Sequence, residues 1–183
     1  MYETFYGFKE RPFALVPDPS FLYLSKGHGT ALTLLRYSIM NRQGFTVVSG
    51  EVGSGKTTLV NRLLDEMNTG ATVGLINFTT RTFGDMVEWI MMAYGLPYKN
   101  KGKVELYEDF VQFMIREYAA GRPVVLIVDE AQNLGIRGLE EIRMLSNVNA
   151  QKEYLLHVIL VGQPELRALL QTPQLRQLTQ RVS

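Results

Sequence analysis

The sequence predicts an α/β protein with a mainly parallel sheet. Short apolar segments alternate along the chain with longer amphipathic ones, which is the order expected when each strand is followed by a helix that covers the sheet. Residues 123–128 are almost wholly aliphatic, as is typical of a parallel strand covered on both faces. With 183 residues the chain is long enough to bury a core and corresponds to one domain.

The individual elements follow from apolar periodicity and from the positions of proline and glycine. Three prolines with aromatic neighbours predict an ordered wrapping segment over residues 7–24. Ser25 is predicted to cap a helix that runs to about residue 43, and Gly44 to end it. The predicted strands are 45–49, 72–78, 123–128 and 154–161. The predicted helices are 56–67, 83–94, 104–120 and 137–147, with short helices opening at Pro164 and Pro173.

Composition excludes several classes of function. The chain has no cysteine, which excludes a disulfide scaffold and a thiol nucleophile, and its two histidines make a multi-histidine metal centre unexpected. A formal net charge of +1 predicts no bulk attraction to nucleic acid or anionic lipid. The first residues lack a signal-peptide pattern, and the apolar runs are far below the ~20 residues of a membrane helix. We therefore expect a soluble, intracellular chain.

The strongest chemical signal is a glycine-rich segment between the first predicted strand and the helix that follows. It fits the pattern G-x-x-x-x-G-K-[ST], which in this context predicts a phosphate-binding loop. Glycines let backbone N–H groups converge on an anion, and the following helix directs its positive end to the same point. The alternative is a turn that only lets the helix pack on the strand. The predicted nucleotide-binding residues are Gly50, Glu51, Val52, Gly53, Ser54, Gly55, Lys56, Thr57 and Thr58.

An acidic pair, Asp129 and Glu130, follows the aliphatic strand. Ligands of open α/β sheets bind at the carboxyl ends of the strands, so the pair is expected beside the loop. We expect Thr57 and Asp129 to hold Mg²⁺ and Lys56 to reach the β- and γ-phosphates. Glu130 is expected to activate the attacking water as a general base. The alternative is that Asp129 caps the next helix and Glu130 is a solvated acid.

Further observations distinguish between the types of nucleotide-binding protein that this sequence could encode. Gln163 ends the next strand and is a candidate to sense the γ-phosphate or orient water, although it could instead simply open a helix with Pro164. Proteins that have such a phosphate-binding loop and bind GTP usually carry an N-K-x-D motif, whereas residues 100–103 of this chain are Asn-Lys-Gly-Lys and lack the aspartate. Simple nucleotide kinases generally lack the Asp-Glu pair. Together these features predict a hydrolysing ATPase.

Four segments then carry a resemblance to a known family. They are residues 12–23 (Pro-Phe, Pro-Asp-Pro and Phe-Leu-Tyr), 44–58, 128–147 (with Asp-Glu-Ala-Gln-Asn) and 161–166. They resemble the AAA+ ATPases of the general secretion pathway protein A type, and equally the ATPases associated with exosortase and exopolysaccharide operons. The resemblance spans essentially residues 1–183. It implies a three-layer P-loop NTPase with sheet order 5-1-4-3-2.

The resemblance implies further site residues. Tyr23 and His28 are expected near the adenine. A neighbouring subunit is expected to contribute an arginine at the nucleotide, for which Arg176 or Arg181 matches best, although either could be a plain surface charge. Strand five and the helical lid are expected to be largely missing from this chain. We expect residues 1–43 to form the wrapping segment and helix, and residues 44–183 a nucleotide-binding core truncated before the lid.

The predicted function is Mg²⁺-dependent ATP hydrolysis that energises or regulates assembly of a secretion or exopolysaccharide-export machine. The expected partners are ATP, copies of the same chain joined at the nucleotide, and proteins of the export system, with nucleic acid not expected. The expected location is the cytoplasm, with any membrane association through regions outside this chain. Two alternatives remain: a nucleotide-dependent interaction switch with little hydrolysis, and a DNA-associated ATPase regulator of the transposition type.

Overall fold

The fold is taken from a computed structural model that describes residues 5–7, 24–67, 70–77, 85–150 and 153–182. Its elements in chain order are α1 (Lys26–Met40), β1 (Phe45–Ser49), α2 (Lys56–Met67), β2 (Thr72–Asn77), α3 (Met86–Ala93), α4 (Lys103–Ala119), β3 (Val124–Asp129), α5 (Gly135–Leu145), β4 (Asn149–Ala150), β5 (Glu153–Tyr154), β6 (Leu156–Gly162), α6 (Pro164–Leu170) and α7 (Arg176–Thr179). Two 3₁₀ turns cover Ala131–Leu134 and Pro173–Leu175.

Four parallel strands form the main sheet, in the order β1-β6-β3-β2. The register aligns their carboxyl ends, with Ser49 opposite Gly162 and Asn77 opposite Asp129. The loops that follow β1, β3 and β6 therefore leave the sheet at one edge. Because β6 is the fourth strand of this sheet in chain order, the observed order is 1-4-3-2, which agrees with the predicted order 5-1-4-3-2 for the first four strands. The predicted fifth strand is represented by a single parallel bridge between Phe45 and Val182.

The strands divide the core into two layers because alternate side chains point to opposite faces. On β3, Val125 and Ile127 pack with α1 and α2 on one face, together with Leu35 and Leu63. On the other face, Leu126 and Val128 pack with buried residues of α3, α4 and α5. Every residue of β3 and β6 is buried. The predicted α/β fold with a mainly parallel, doubly covered sheet is confirmed.

The first helix shows how closely local signals set the element boundaries. The Ser25 hydroxyl accepts a hydrogen bond from the backbone N–H of His28, which confirms Ser25 as the cap of α1. The helix ends at Met40, three residues earlier than predicted, because Arg42 adopts a left-handed conformation with φ of 48°. Most of the predicted wrapping segment lies outside the described residues.

The predicted strand 154–161 is wrong at its beginning. Tyr154 pairs with Asn149 in a separate antiparallel pair of strands, β4 and β5, and the central strand starts at Leu156. The Tyr154 ring lies against Gly44, where an added Cβ would be 3.4 Å from ring carbons. The ring thus packs over the start of β1, and Tyr154 does not pair with a strand of the main sheet. Among the described residues, no helix is long and apolar enough to cross a membrane.

Candidate active site

The glycine-rich loop joins β1 to α2 at the carboxyl edge of the sheet. Gly53 and Gly55 have φ of +75° and +82°, a left-handed conformation that side-chain-bearing residues rarely adopt. At Gly50 an added Cβ would lie 2.8 Å from the Ser54 hydroxyl oxygen, so the Ser54 side chain would have to turn to admit it. The backbone N–H of Gly50 donates to the carbonyl of Gly162, which ties the loop to the end of β6. The loop therefore has the backbone geometry that a phosphate-binding loop needs.

The Lys56 side chain lies over this loop. Its Nζ donates to the carbonyl oxygens of Gly50 at 2.8 Å and Glu51 at 2.9 Å. The ammonium group is thus held at the loop by neutral acceptors, which leaves its charge uncompensated by any carboxylate there. A phosphate group entering the loop would meet a positive charge already in position.

Thr57 and Asp129 meet although 72 residues separate them in the chain. The Thr57 hydroxyl donates to Asp129 Oδ2 at 2.9 Å, and the backbone N–H of Glu130 donates to Asp129 Oδ1 at 2.9 Å. Asp129 is only 3% exposed. Both carboxylate oxygens are therefore oriented by hydrogen bonds, so the carboxylate has a fixed direction at the mouth of the loop.

Glu130 adopts a strained backbone conformation, with φ of 54° and ψ of 38°. Strain of this kind at a non-glycine residue persists only where the surroundings enforce it, and it is frequent at active sites. The Glu130 Oε2 accepts hydrogen bonds from Gln163 Nε2 at 3.1 Å and from Gln132 Nε2 at 2.6 Å. The structure therefore brings the predicted base and the predicted sensor into direct contact.

The sequence analysis missed Gln132. Its amide oxygen accepts from the backbone N–H of Gln163 at 3.1 Å while its amide nitrogen donates to Glu130, so the side chain links β3 to β6. The available signal was an amide residue two positions after Glu130, together with a glycine before Gln163. These residues predict a contact with Gln163 only if β3 and β6 are already known to be neighbouring strands.

His28 contacts the glycine-rich loop itself. Its Nε2 lies 2.8 Å from the carbonyl oxygen of Ser54, and its Nδ1 lies 2.8 Å from the Ser25 hydroxyl. Because a carbonyl can only accept, Nε2 must carry the hydrogen and donate, and in a neutral ring Nδ1 then accepts from Ser25. The α1 helix is thereby attached to the loop. Tyr23, the other residue expected near the adenine, lies outside the described residues.

Neither candidate arginine is among the residues that line the cleft at the glycine-rich loop. Arg176 is exposed at the start of α7. Arg181 is partly buried, and its guanidinium carbon lies 5.8 Å from the centre of the Tyr154 ring. Since Val182 pairs with Phe45, Arg181 sits at the amino ends of the strands, opposite the edge that carries the loop. Neither arginine reaches Glu130 within one chain.

Most of the remaining site residues line one open cleft of about 260 Å³ at the sheet edge, whereas Gly50, Glu51, Ser54 and Asp129 are not part of its lining. Its lining consists of Val52, Gly53, Gly55, Lys56, Thr57, Thr58, Glu130 and Gln163. The cleft therefore joins the loop, the acidic strand end and the sensor strand end, as the sequence predicted.

The chain matches the AAA domain family over residues 39–170, which is most of the region just described. The chain belongs to this family. Over 184 aligned residues it is 39% identical to General secretion pathway protein A of Aeromonas hydrophila, covering 100% of this chain and 34% of that relative. The chain spans about a third of that relative's length.

Solved structures of AAA+ proteins share the fold. The ORC2 protein of Aeropyrum pernix, in ADPNP–ADP complexes, matches with a TM-score of 0.60 and 18% identity over 92% of this chain and 50% of that chain. Cdc6p of Pyrobaculum aerophilum matches with a TM-score of 0.59 and 20% identity over 92% of this chain and 49% of that chain. At these identities the likeness concerns the fold alone, and it confirms the predicted fold class.

The residues of the cleft fit a magnesium nucleotide. The described residues contain no group of three or more acidic or histidine side chains able to hold a metal by themselves. Mg²⁺ in nucleotide sites is bound through only one or two protein groups together with phosphate oxygens and water. A hydroxyl and a buried carboxylate in contact, Thr57 and Asp129, match that requirement.

Proposed function

We propose that this AAA+ domain binds ATP with Mg²⁺ and hydrolyses it. The observation that carries the proposal is the convergence of three strand ends on one cleft. The phosphate loop follows β1, the acidic pair follows β3 and Gln163 follows β6, with Thr57 and Asp129 in contact at 2.9 Å. Each of these groups has a separate role in phosphoryl transfer, and none of them is needed for a turn that only joins a strand to a helix.

Binding is assigned to the loop and to Lys56. The backbone N–H groups of residues 50–55 and the positive end of α2 attract the phosphates, and the Lys56 ammonium contacts the β- and γ-phosphates. Thr57 and Asp129 hold the metal ion. Mg²⁺, when bound, supplies neutralisation of the charge that develops on the phosphate oxygens.

Hydrolysis is assigned to Glu130. The water oxygen bonds to the γ-phosphorus while the bond from that phosphorus to the β,γ-bridging oxygen breaks, and ADP leaves. The proton lost by the water passes to the Glu130 carboxylate and then to phosphate or solvent. Gln163, beside Glu130 and at the cleft, senses the γ-phosphate through its amide.

An arginine from a second copy of the chain completes the site in this proposal. Such an arginine stabilises the charge of the transition state and is worth roughly 10³–10⁵ in rate in related systems. Arg176 is favoured over Arg181 because it is exposed, whereas Arg181 is partly buried against Tyr154. Turnover would then depend on assembly of the chain.

The likeness to General secretion pathway protein A supports a role in energising or regulating assembly of a secretion or polysaccharide-export machine. We place the domain in the cytoplasm, where ATP is available, and treat residues 1–183 as one AAA+ unit. In this proposal residues 44–183 form the nucleotide-binding core and α1 precedes it, while most of the wrapping segment predicted within residues 1–43 lies outside the described residues.

The test is ATP turnover per chain over a wide range of protein concentration. We compare wild type with Lys56→Ala, Glu130→Gln and Arg176→Ala, using Glu108→Gln on the exposed face of α4 as the matched control. A specific rate that rises with concentration and is lost in Glu130→Gln supports a shared active site. Retained turnover in Glu130→Gln would remove Glu130 as the base, and unchanged ATP affinity in Lys56→Ala would refute the loop assignment.

The same assay separates the alternatives. ATP binding with a flat, near-zero rate, insensitive to Glu130→Gln, would favour the nucleotide-dependent switch. Turnover stimulated by DNA, with a steep dependence on salt, would favour a DNA-associated regulator because phosphate contacts release counterions.

A further inference from the structure

Gln132 lies behind the cleft, on the 3₁₀ turn that follows Glu130. Both ends of its side-chain amide are engaged: the nitrogen donates to Glu130 Oε2 at 2.6 Å and the oxygen accepts from the backbone N–H of Gln163 at 3.1 Å. Gln132 is not among the residues that line the cleft. Its position therefore suits it to act through Glu130 rather than on the nucleotide.

Gly162 provides the space for this side chain. A Cβ at Gly162 would lie 2.5 Å from Gln132 Oε1 and 2.9 Å from Leu166 Cδ2, closer than real contacts allow. The φ of Gly162 is not in the left-handed region, so space and not backbone conformation requires glycine here. The end of β6 is thus shaped to let the Gln132 amide cross to the Gln163 backbone.

We infer that Gln132 is a positioning residue that fixes the Glu130 carboxylate for catalysis. The inference rests on the proposed function of Glu130 as the general base. Gln132 and Gln163 both bind Oε2, which leaves Oε1 as the oxygen that faces the attacking water. When one carboxylate oxygen is already held by hydrogen bonds, less conformational entropy is lost on orienting the base towards the bound water.

Gln132 and Gln163 differ in what holds them. The Gln163 amide lines the cleft, so a γ-phosphate bound there would compete with Glu130 for its N–H groups. The Gln132 amide is anchored to the backbone N–H of Gln163, which stays in place when the Gln163 side chain turns. The anchored Gln132 amide therefore holds the Glu130 carboxylate whether or not the Gln163 side chain stays in contact with it.

Two substitutions separate the donor from the rest of the side chain. Gln132→Leu removes the whole amide at similar volume. Gln132→Glu keeps an oxygen that can accept from the Gln163 backbone, but it replaces the donor to Glu130 with a second carboxylate oxygen. If the hydrogen bond from the Gln132 amide to Glu130 is needed for turnover, both variants lose ATPase activity. If only the hydrogen bond from the Gln163 backbone to Gln132 is needed, Gln132→Glu keeps the activity that Gln132→Leu loses.

The kinetic arm compares these variants with Gln112→Leu, the same change at an exposed position of α4. Hydrogen bonds to charged groups are strong, so we expect kcat to fall roughly 10- to 100-fold in both Gln132 variants. The KM for ATP should stay within about twofold, because the phosphate-binding residues are unchanged. An unchanged or raised kcat in Gln132→Leu, with wild type active, would overturn the inference and leave the proposed function intact.

A second experiment tests the contact between Gln132 and Glu130 directly and does not depend on ATP turnover. In ¹H–¹⁵N spectra of the nucleotide-free 183-residue chain, the side-chain amide resonances that disappear in Gln132→Leu identify Gln132. Glu130→Ala should shift those resonances, because the carboxylate acceptor is lost, whereas Glu108→Ala should not. Resonances that stay in place in Glu130→Ala would show that the amide does not bind Glu130. An inactive wild type would refute the proposed function, while this arm would still decide the contact.

Discussion

Replacing Glu130 by alanine and by glycine measures the backbone strain at the site. Alanine retains the cost of φ at 54° and ψ at 38°, whereas glycine adopts these angles freely. Both variants lose the carboxylate and its hydrogen bonds to Gln132 and Gln163, so those losses cancel in the comparison. The difference in the free energy of unfolding between the two variants therefore reports the backbone alone.

The magnitude follows from two opposing terms. A side-chain-bearing residue in the left-handed region costs about 1–2 kcal/mol, which destabilises the alanine variant. Glycine gives the unfolded chain more conformational freedom, which favours alanine by about 0.4–1 kcal/mol. The glycine variant should thus be the more stable by about 0.5–1 kcal/mol. For a chain of this size, at roughly 2–4 °C per kcal/mol, that difference raises Tm by about 1–4 °C.

The control pair is Glu108→Ala and Glu108→Gly, in the exposed interior of α4. There alanine should be the more stable by about 1 kcal/mol, because glycine is a poor helix former. The assay is urea-induced unfolding of the four nucleotide-free variants. The order of stability should invert between the two positions. An alanine variant at Glu130 that is at least as stable as the glycine variant would refute the claim that this backbone is strained.

The remaining predictions concern stability. Hydrogen bonds from Arg122 and Thr72 lower the pKa of Glu117 from 4.5 to about 2. Its stabilisation is present above about pH 4.5 and is lost towards pH 2, so Glu117→Gln should flatten the pH dependence of urea unfolding in that range. Burial lowers the pKa of His157 below 6.5, so stability should fall as the pH drops through about 6.5, and less steeply in His157→Gln. Gly74→Ala places a Cβ 2.8 Å from a Tyr94 ring carbon and should cost about 1–3 kcal/mol in thermal or urea unfolding; a cost near zero would contradict the contact.

The site combines a rigid part and a strained part. The phosphate loop is fixed by Gly53 and Gly55 and by the bond from Gly50 to the end of β6. Glu130 is held in a less favourable conformation by its neighbours. In the proposed mechanism the rigid part binds the nucleotide, and the strained residue performs the chemistry. Strain at Glu130 persists because its surroundings enforce it, and the two strands that its contacts join, β3 and β6, are buried along their whole length.

The pair Thr57 and Asp129 could be predicted to meet from the sequence because each belongs to a local pattern. The loop motif requires a preceding strand, and the acidic pair requires a buried strand end. Parallel strands then bring both to one edge of the sheet. The contact between the Thr57 hydroxyl and Asp129 at 2.9 Å agrees with that expectation. The catalytic roles of these residues remain predictions.

Other features could not be predicted because they depend on neighbours that are distant in sequence. The role of Gln132 requires β3 to lie beside β6 and requires a glycine at position 162. The contact of His28 with the Ser54 carbonyl depends on how α1 crosses the phosphate loop. Tyr154 leaves the central strand because its ring packs against Gly44, which no local periodicity indicates.

The sequence by itself determined the α/β class, the order of the elements and the place of the glycine-rich loop between β1 and α2. These depend on the apolar period, on glycine and proline positions and on short motifs, all of which act within a few residues. Only the tertiary structure decided which groups touch Glu130. The side chain of Gln132 and the backbone of Gln163 are separated by the whole of α5 and β6, and they meet because the register of the parallel sheet aligns the ends of β3 and β6.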